Sequence, residues 1–456
     1  MKIRFNNPVA SAVLCVLIAA CGGGQREGEA PKAAATAEAA SSQEPRKQTL
    51  ATTELLPFLE RTAFFDEAEA LFGVYFPGPQ PTQTSGPYTY RYYPGTRNYL
   101  ALTSTDIMLM GPVVGSLNVP VKYAALADFC GDPTTAKFCG SKLRRTLVVA
   151  GLEREFIVYQ PWKSRHTSQL PVVFMLHGTS GDGQEFFDRS GWRELADSEG
   201  FIAVFPTALR HCLYEDDITV NGIFDANERR TPTKWASGIL GDPSKMPLCT
   251  AAQIAALPAD TRAKVDHPLA DDLAFFDAMV VDLKQRWPVD AKRLYVSGFS
   301  NGGQMSGRLA AERSEVFAAL AAAAGNAYTP LPVAKRPLSF VFTVGEFDDR
   351  FFAPLGLTAL PLTDVGSGER FKIMLVRPHS SPQQLDDSRY SFGAIQQNGA
   401  SISTYTYNTS LALPARTNTL YVGIVAGATH EYPNGSNHPL KMAELLWEFF
   451  KTRSLP

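Results

Sequence analysis

The chain is 456 residues long, 45% hydrophobic, with a formal net charge of −2. That length admits one large domain and a smaller one, and the apolar fraction supports a sizeable core. Near-neutral charge and the lack of a basic cluster exclude nucleic acid as a partner.

Lys2 and Arg4 precede the apolar stretch from Val9 to Ala20, which is too short to span a bilayer and reads as a targeting segment. It ends Leu17-Ile18-Ala19-Ala20-Cys21-Gly22, which resembles the lipobox of bacterial lipoproteins. The resemblance implies a signal peptide over residues 1–20, cleavage before Cys21 and a lipid on the Cys21 sulfur. The expectation is an exported, lipid-anchored protein at the outer membrane or cell surface. Residues 21–47 are rich in Ala, Gly, Glu and Ser without an apolar period, as in a flexible tether.

Residues 48–142 read as a small N-terminal module, a helix followed by β structure. Leu55, Leu59, Phe64, Ala68 and Leu71 recur at helical spacing over 52–75. The β-prone runs Tyr88–Tyr93, Tyr99–Leu102 and Ile107–Met110 are punctuated by Gly95, Gly111 and Gly115. The tyrosines suit a sugar or polymer surface, but the preferred reading is a structural add-on.

From residue 143 to 456 the pattern turns to two strands, then alternating strands and helices. Leu147-Val148-Val149 and Phe156-Ile157-Val158-Tyr159 suggest an antiparallel edge pair. Val172–Leu176 and Phe201–Phe205 are continuous apolar runs, as buried parallel strands require. Leu294–Val296, Leu338–Val344 and Leu420–Val425 follow, with helical segments near 184–199, 271–287, 303–313 and 439–452. The alternation predicts an α/β domain, a mostly parallel sheet flanked by helices. The stretches 207–266 and 351–416 read as insertions. If Cys15 leaves with the signal and Cys21 carries lipid, Cys130, Cys139, Cys212 and Cys249 remain, an even set in an oxidising compartment. Of the three pairings four cysteines allow, the local one is favoured: Cys130–Cys139 and Cys212–Cys249.

The chemistry centres on Gly298-Phe299-Ser300-Asn301-Gly302, between an apolar strand and a helix. This is the nucleophile-elbow pattern, which projects Ser300 from a sharp turn. A serine hydroxyl needs a base, and the base needs an orienting acid. His430, in Gly427-Ala428-Thr429-His430, follows the last strand and precedes the last helix, where the base belongs. His166, His211, His267 and His379 come too early or sit in poorly placed loops, and His438 sits at a helix start. Glu346, Asp348 and Asp349 all follow the strand ending at Val344; Asp348 is favoured by its spacing after Gly345. The backbone N–H groups of Asn301 and Thr179 are the expected oxyanion donors, and Gly178 permits the close approach this needs. His177 reads as a structural histidine; Trp235 either lines an apolar substrate cleft or anchors the first insertion, and the anchor is preferred.

Further landmarks are Leu176-His177-Gly178, Ser190-Gly191-Trp192, Asp271-Asp272-Leu273 and Phe317-Ala318-Ala319. With the elbow, Asp348 and His430, they resemble the polyhydroxybutyrate depolymerase and feruloyl-esterase group of secreted α/β-hydrolases, from about Arg144 onward. The resemblance implies an α/β-hydrolase fold, the triad Ser300, Asp348 and His430, no cofactor for catalysis, and a hydroxyalkanoate polyester or oligoester as substrate. Thr179 stands where that group often has cysteine. The rivals are a feruloyl or acetyl-xylan esterase, a peptidase on the same fold, and a non-catalytic surface-binding lipoprotein. No propeller-like repeat supports the peptidase.

The first insertion also carries a candidate Ca²⁺ loop. Asp217, Thr219, Asn221, Ile223 (through its carbonyl), Asp225 and Glu228 fall at EF-hand ligand positions, with Gly222 at the turn. The competing reading is an acidic surface loop.

Overall fold

A computed structural model describes five strands between residues 82 and 125. It also describes residues 140–456, except 162, 163, 165, 166, 168, 216–222 and 329. The signal segment, the tether, the helix expected over 52–75, Cys130, Cys139 and His166 lie outside the described residues. Thr82–Ser85, Tyr88–Tyr92, Tyr99–Leu102, Asp106–Met110 and Pro120–Ala125 form an antiparallel sheet in chain order. Among the described residues no helix is long and apolar enough to cross a membrane.

The second sheet has ten strands. They are β1 (Gly140–Val149), β2 (Leu152–Pro161), β3 (Leu170–Leu176), β4 (Ile202–Pro206) and β5 (Val289–Phe299), then β6 (Ala319–Ala323), β7 (Ser339–Gly345), β8 (Ser391–Gln397), β9 (Ala400–Tyr407) and β10 (Leu420–Val425). Their order across the sheet is β1-β2-β4-β3-β5-β6-β7-β10-β9-β8. The strands from β4 to β10 in that order run parallel. The pairs β1/β2 and β2/β4 at one side, and β10/β9 and β9/β8 at the other, are antiparallel. The first strand begins at Gly140, slightly ahead of the expected start at 143.

Alternating side chains of the central strands feed two cores. Val172, Phe174, Leu176 and Val296 pack under α3 (Asp272–Arg286) and α4 (Asn301–Glu312). Val173, Met175, Phe205 and Tyr295 pack on the other face under α1 (Gly183–Arg189), α2 (Trp192–Glu199) and α5 (Met442–Phe450). Each fully buried large side chain, Trp192 or Phe450 for example, contributes about 1.5–3 kcal/mol of burial free energy. The single helix expected near 184–199 is two, broken at Gly191, whose φ of 79° is left-handed.

Two elements depart from the sequence expectation. Ala319–Ala323 is a fully buried strand, although an alanine run favours helix. Its small side chains are required where Gly303 of α4 crosses: a Cβ on Gly303 would lie 3.3 Å from Ala322 Cβ and 3.2 Å from the Ala323 carbonyl oxygen. The second insertion, moreover, does not stay outside the sheet. It contributes β8 and β9, joined by Asn398-Gly399 with φ of 54° and 83°, the two-residue turn that matches strand twist.

Candidate active site

The strand β5 ends at Phe299, and Ser300 adopts φ 51°, ψ −119°, a strained conformation costing about 1–3 kcal/mol. Its surroundings hold it there. Ser300 N donates to Ala323 O (2.8 Å) and its carbonyl accepts from Gln304 N (3.0 Å). Glycines make room on each side. A Cβ on Gly302 would lie 2.5 Å from the carbonyl oxygens of Leu176 and His177, and one on Gly325 would lie 1.9 Å from Ser300 O.

Strand, strained serine and helix lie at the centre of a sheet ordered β1-β2-β4-β3-β5-β6-β7, with helices on both faces. This is an α/β-hydrolase fold.

The loops after β7 and β10 meet the elbow. His430 Nε2 lies 3.0 Å from Ser300 Oγ, and His430 Nδ1 lies 2.8 Å from Asp348 Oδ2. Asp348 is fully buried, and its second oxygen accepts from Arg350 N at 3.2 Å. That contact fixes the carboxylate, and the carboxylate fixes the imidazole with its proton on Nδ1. The Arg350 guanidinium also reaches His430 Nε2. The two rejected acids have other places. Glu346 accepts from Gly427 N at 2.8 Å, tying the acid turn to the histidine loop, and Asp349 is exposed. Gly345 matters here too, because a Cβ on it would lie 2.4 Å from the carbonyl oxygens of Ala428 and Thr429.

The loop after β3 lies against the serine: a Cβ on Gly178 would be 3.3 Å from Ser300 Cβ. Thr179 follows Gly178 in this loop, and Asn301 is the first residue of α4. His177 is buried, and burial lowers its pKa to about 4. Its Nε2 accepts from Ala208 N at 2.9 Å, so it is a neutral structural group. Trp235 is fully buried and donates through Nε1 to His177 O at 3.0 Å. It anchors the first insertion instead of lining a cleft.

Cys212 and Cys249 form a disulfide. Of the candidate calcium ligands, Asp217, Thr219 and Asn221 lie outside the described residues. Ala226–Glu228 is a 3₁₀ turn, in which Glu228 is buried and its carboxylate accepts from Asp225 N at 3.0 Å. Among the described residues no cluster of three or more His, Cys, Asp or Glu side chains is placed to hold a metal. The contact between the first insertion and the elbow has no signature in the sequence. Asn301 Oδ1 accepts from Trp235 N at 2.6 Å, and Asn301 Nδ2 donates to Ser237 Oγ at 3.2 Å. No local pattern signals partners more than sixty residues apart.

Residues 265–348 match the prolyl oligopeptidase family, a stretch that includes α3, the elbow and Asp348. NocK of Nocardia uniformis subsp. tsuyamanensis, which is assigned as an esterase, is 28% identical over 206 residues, 45% of this chain and 47% of its own. The bifunctional acetylxylan esterase/xylanase XynS20E of Neocallimastix patriciarum is 25% identical over 199 residues, 44% of this chain and 22% of its own. The chain thus spans about half the length of the first of these curated relatives and about a fifth of the second. Among solved structures, an S-formylglutathione hydrolase from Agrobacterium tumefaciens covers 70% of this chain and 97% of its own, at 14% identity and a TM-score of 0.39. Likeness at that level carries no argument about activity.

Proposed function

We propose that this protein is a serine esterase that hydrolyses carboxylic esters through an acyl-enzyme. The observation that carries the reading is His430 held between Ser300 Oγ and the buried Asp348 carboxylate, at 3.0 and 2.8 Å. Ser300 attacks the ester carbonyl while His430 takes the hydroxyl proton through Nε2. Asp348 keeps the productive tautomer and stabilises the imidazolium. Negative charge on the carbonyl oxygen is met by the N–H groups of Thr179 and Asn301. The imidazolium protonates the leaving alkoxide. Water, deprotonated by the same imidazole, then releases the acid and restores Ser300. Hydrolysis of p-nitrophenyl butyrate by the purified protein, abolished in Ser300→Ala, is the test. Equal, background-level rates for the two proteins would end the reading.

For the substrate we infer a hydroxyalkanoate polyester or oligoester, supported by the sequence landmarks from Leu176 to His430. An acetylated plant polysaccharide is the second reading, favoured by the alignment with XynS20E. Matched assays for released 3-hydroxybutyrate and acetate separate the two. Cleavage of a prolyl peptide in the same panel, with both esters untouched, would favour the peptidase. Attachment through Cys21 is supported by Leu17–Gly22 and is tested by palmitate labelling of wild type against Cys21→Ala.

A further inference from the structure

The two amides proposed to hold the oxyanion belong to separate elements, the loop after β3 and the start of α4. Five consecutive residues of the first insertion, Thr233–Ser237, bond to both. On the loop side, Ser180 N donates to Thr233 O at 2.9 Å. Thr233 Oγ1 donates to Gly181 O at 2.6 Å. Lys234 Nζ lies 3.4 Å from Thr179 Oγ1. On the helix side, the Trp235 backbone exchanges hydrogen bonds with the Asn301 side chain, at 2.6 and 3.3 Å.

The segment is itself held from behind. Lys234 N donates to Leu209 O at 3.0 Å, and His211 N to Pro232 O at 3.0 Å. Ala236 N donates to Asp272 Oδ2 at 2.7 Å, and Asp272 is fixed by Arg154 in a buried pair at 2.6 Å. Lys234 is buried, and its ammonium is paired with Glu215. A buried, neutralised lysine whose other contact is the side chain of a proposed oxyanion residue is not a solubility feature. An unpaired ammonium there would be costly, which is why Glu215 accompanies it.

Resting on the esterase reading above, we propose that Lys234 is a positioning residue of the oxyanion hole. It acts through Thr179 Oγ1 to hold the Thr179 amide at its working distance from Asn301 N–H. The first insertion therefore helps to complete the catalytic centre. Transition-state hydrogen bonds depend on donor position far more than ground-state binding does. The effect must accordingly fall on kcat and spare KM.

The test uses the full-length protein with p-nitrophenyl butyrate and four forms: wild type, Lys234→Met/Glu215→Gln, Thr179→Ala, and the three substitutions together. The paired change removes both charges and leaves no buried ion alone. It is expected to lower kcat about 10- to 100-fold, below the roughly 10²–10³-fold for deleting a donor outright, with KM within about twofold. On the Thr179→Ala background the same pair is expected to cost at most about threefold, because the route to the amide is already cut. An unchanged kcat, a loss confined to KM, or full additivity with Thr179→Ala each overturns the proposal. If the paired variant fails to fold, Lys234→Gln is read in the same cycle. A fluorophosphonate that labels Ser300 in wild type separates the two readings, since no labelling sinks the esterase itself, whereas labelling with an additive cycle sinks only the role of Lys234.

Discussion

Replacing Asp348 by asparagine tests the acid with almost no change of volume. The carboxylate accepts twice, from His430 Nδ1 at 2.8 Å and from Arg350 N at 3.2 Å. An amide accepts through only one of its two heads. If Nδ2 faces His430, the imidazole must accept at Nδ1. Its proton then moves to Nε2, which points at Ser300 and can no longer serve as base. If Nδ2 faces Arg350 instead, two donors confront each other. The cap bond of about 1 kcal/mol is lost, and a buried donor left unmade adds about 1–3 kcal/mol. The productive orientation is therefore disfavoured by about 2–4 kcal/mol, roughly 30- to 900-fold in rate. Loss of the negative charge opposite the imidazolium brings the expected fall in kcat to about 10⁴-fold. Initial rates on p-nitrophenyl butyrate, with thermal melts to confirm folding, measure it. Asp349→Asn serves as the control and is expected to stay within about twofold of wild type, since Asp349 is exposed and outside the triad. A fall of less than tenfold for Asp348→Asn, or an equal fall for Asp349→Asn, would refute the assignment.

Other consequences follow from the same geometry. Gly325→Ala places a Cβ 1.9 Å from Ser300 O; it should cut kcat at least about 100-fold by displacing the elbow, and retention of activity would mean the turn tolerates movement. Arg154→Met strands Asp272 in the core and should lower stability by about 3–5 kcal/mol in urea titration. Replacing both Cys212 and Cys249 by alanine opens a loop of 37 residues and should cost about 4 kcal/mol on the chain-entropy account, read as a lowered urea midpoint. Burial lowers the pKa of His177 to about 4 and those of His211 and His379 to about 3, from 6.5. Each therefore binds its proton more weakly in the folded state. The unfolded state takes up more protons below pH 6.5, so stability is full above that pH and is lost as pH falls toward 3. His379, stacked on Phe340 and Phe342 with Nε2 buried and without a hydrogen-bond partner among the described residues, allows a direct check. His379→Leu should flatten the acid side of the urea midpoint against pH, and an unchanged slope would discount its burial as the cause.

The parts of the site that could be read from the sequence are those with a local physical signature. The elbow glycines sit where backbone approaches backbone, and the base and acid follow apolar strands that end in turns. In the sequence, Asp348 is preferred to Glu346 and Asp349 by spacing and by the family resemblance, and the structure separates the three by what each carboxylate faces. The strand Ala319–Ala323 escaped because its composition answers to a packing demand from α4, a non-local cause that overrides propensity. The hairpin β8–β9 had a signal, Asn398-Gly399 ahead of the alternating run Ser401-Ile402-Ser403-Thr404-Tyr405, but it lies within a stretch read as an insertion. The strap from Thr233 to Ser237 had none, because its meaning lies in contacts with Asn301 and the loop after β3.

The placement of β8 and β9 bears on how the protein fails. β10, whose end leads to His430, has β7 on one side and β9 on the other. Its amides are bonded to neighbours along both edges, so it opens with the sheet and not before it. Amide hydrogen exchange in β10 should then run at the rate of global opening, and the looser exchange expected of a border strand should fall on β8. On heating, the loss of turnover and the loss of secondary structure should coincide, since the histidine loop has no early route to detach.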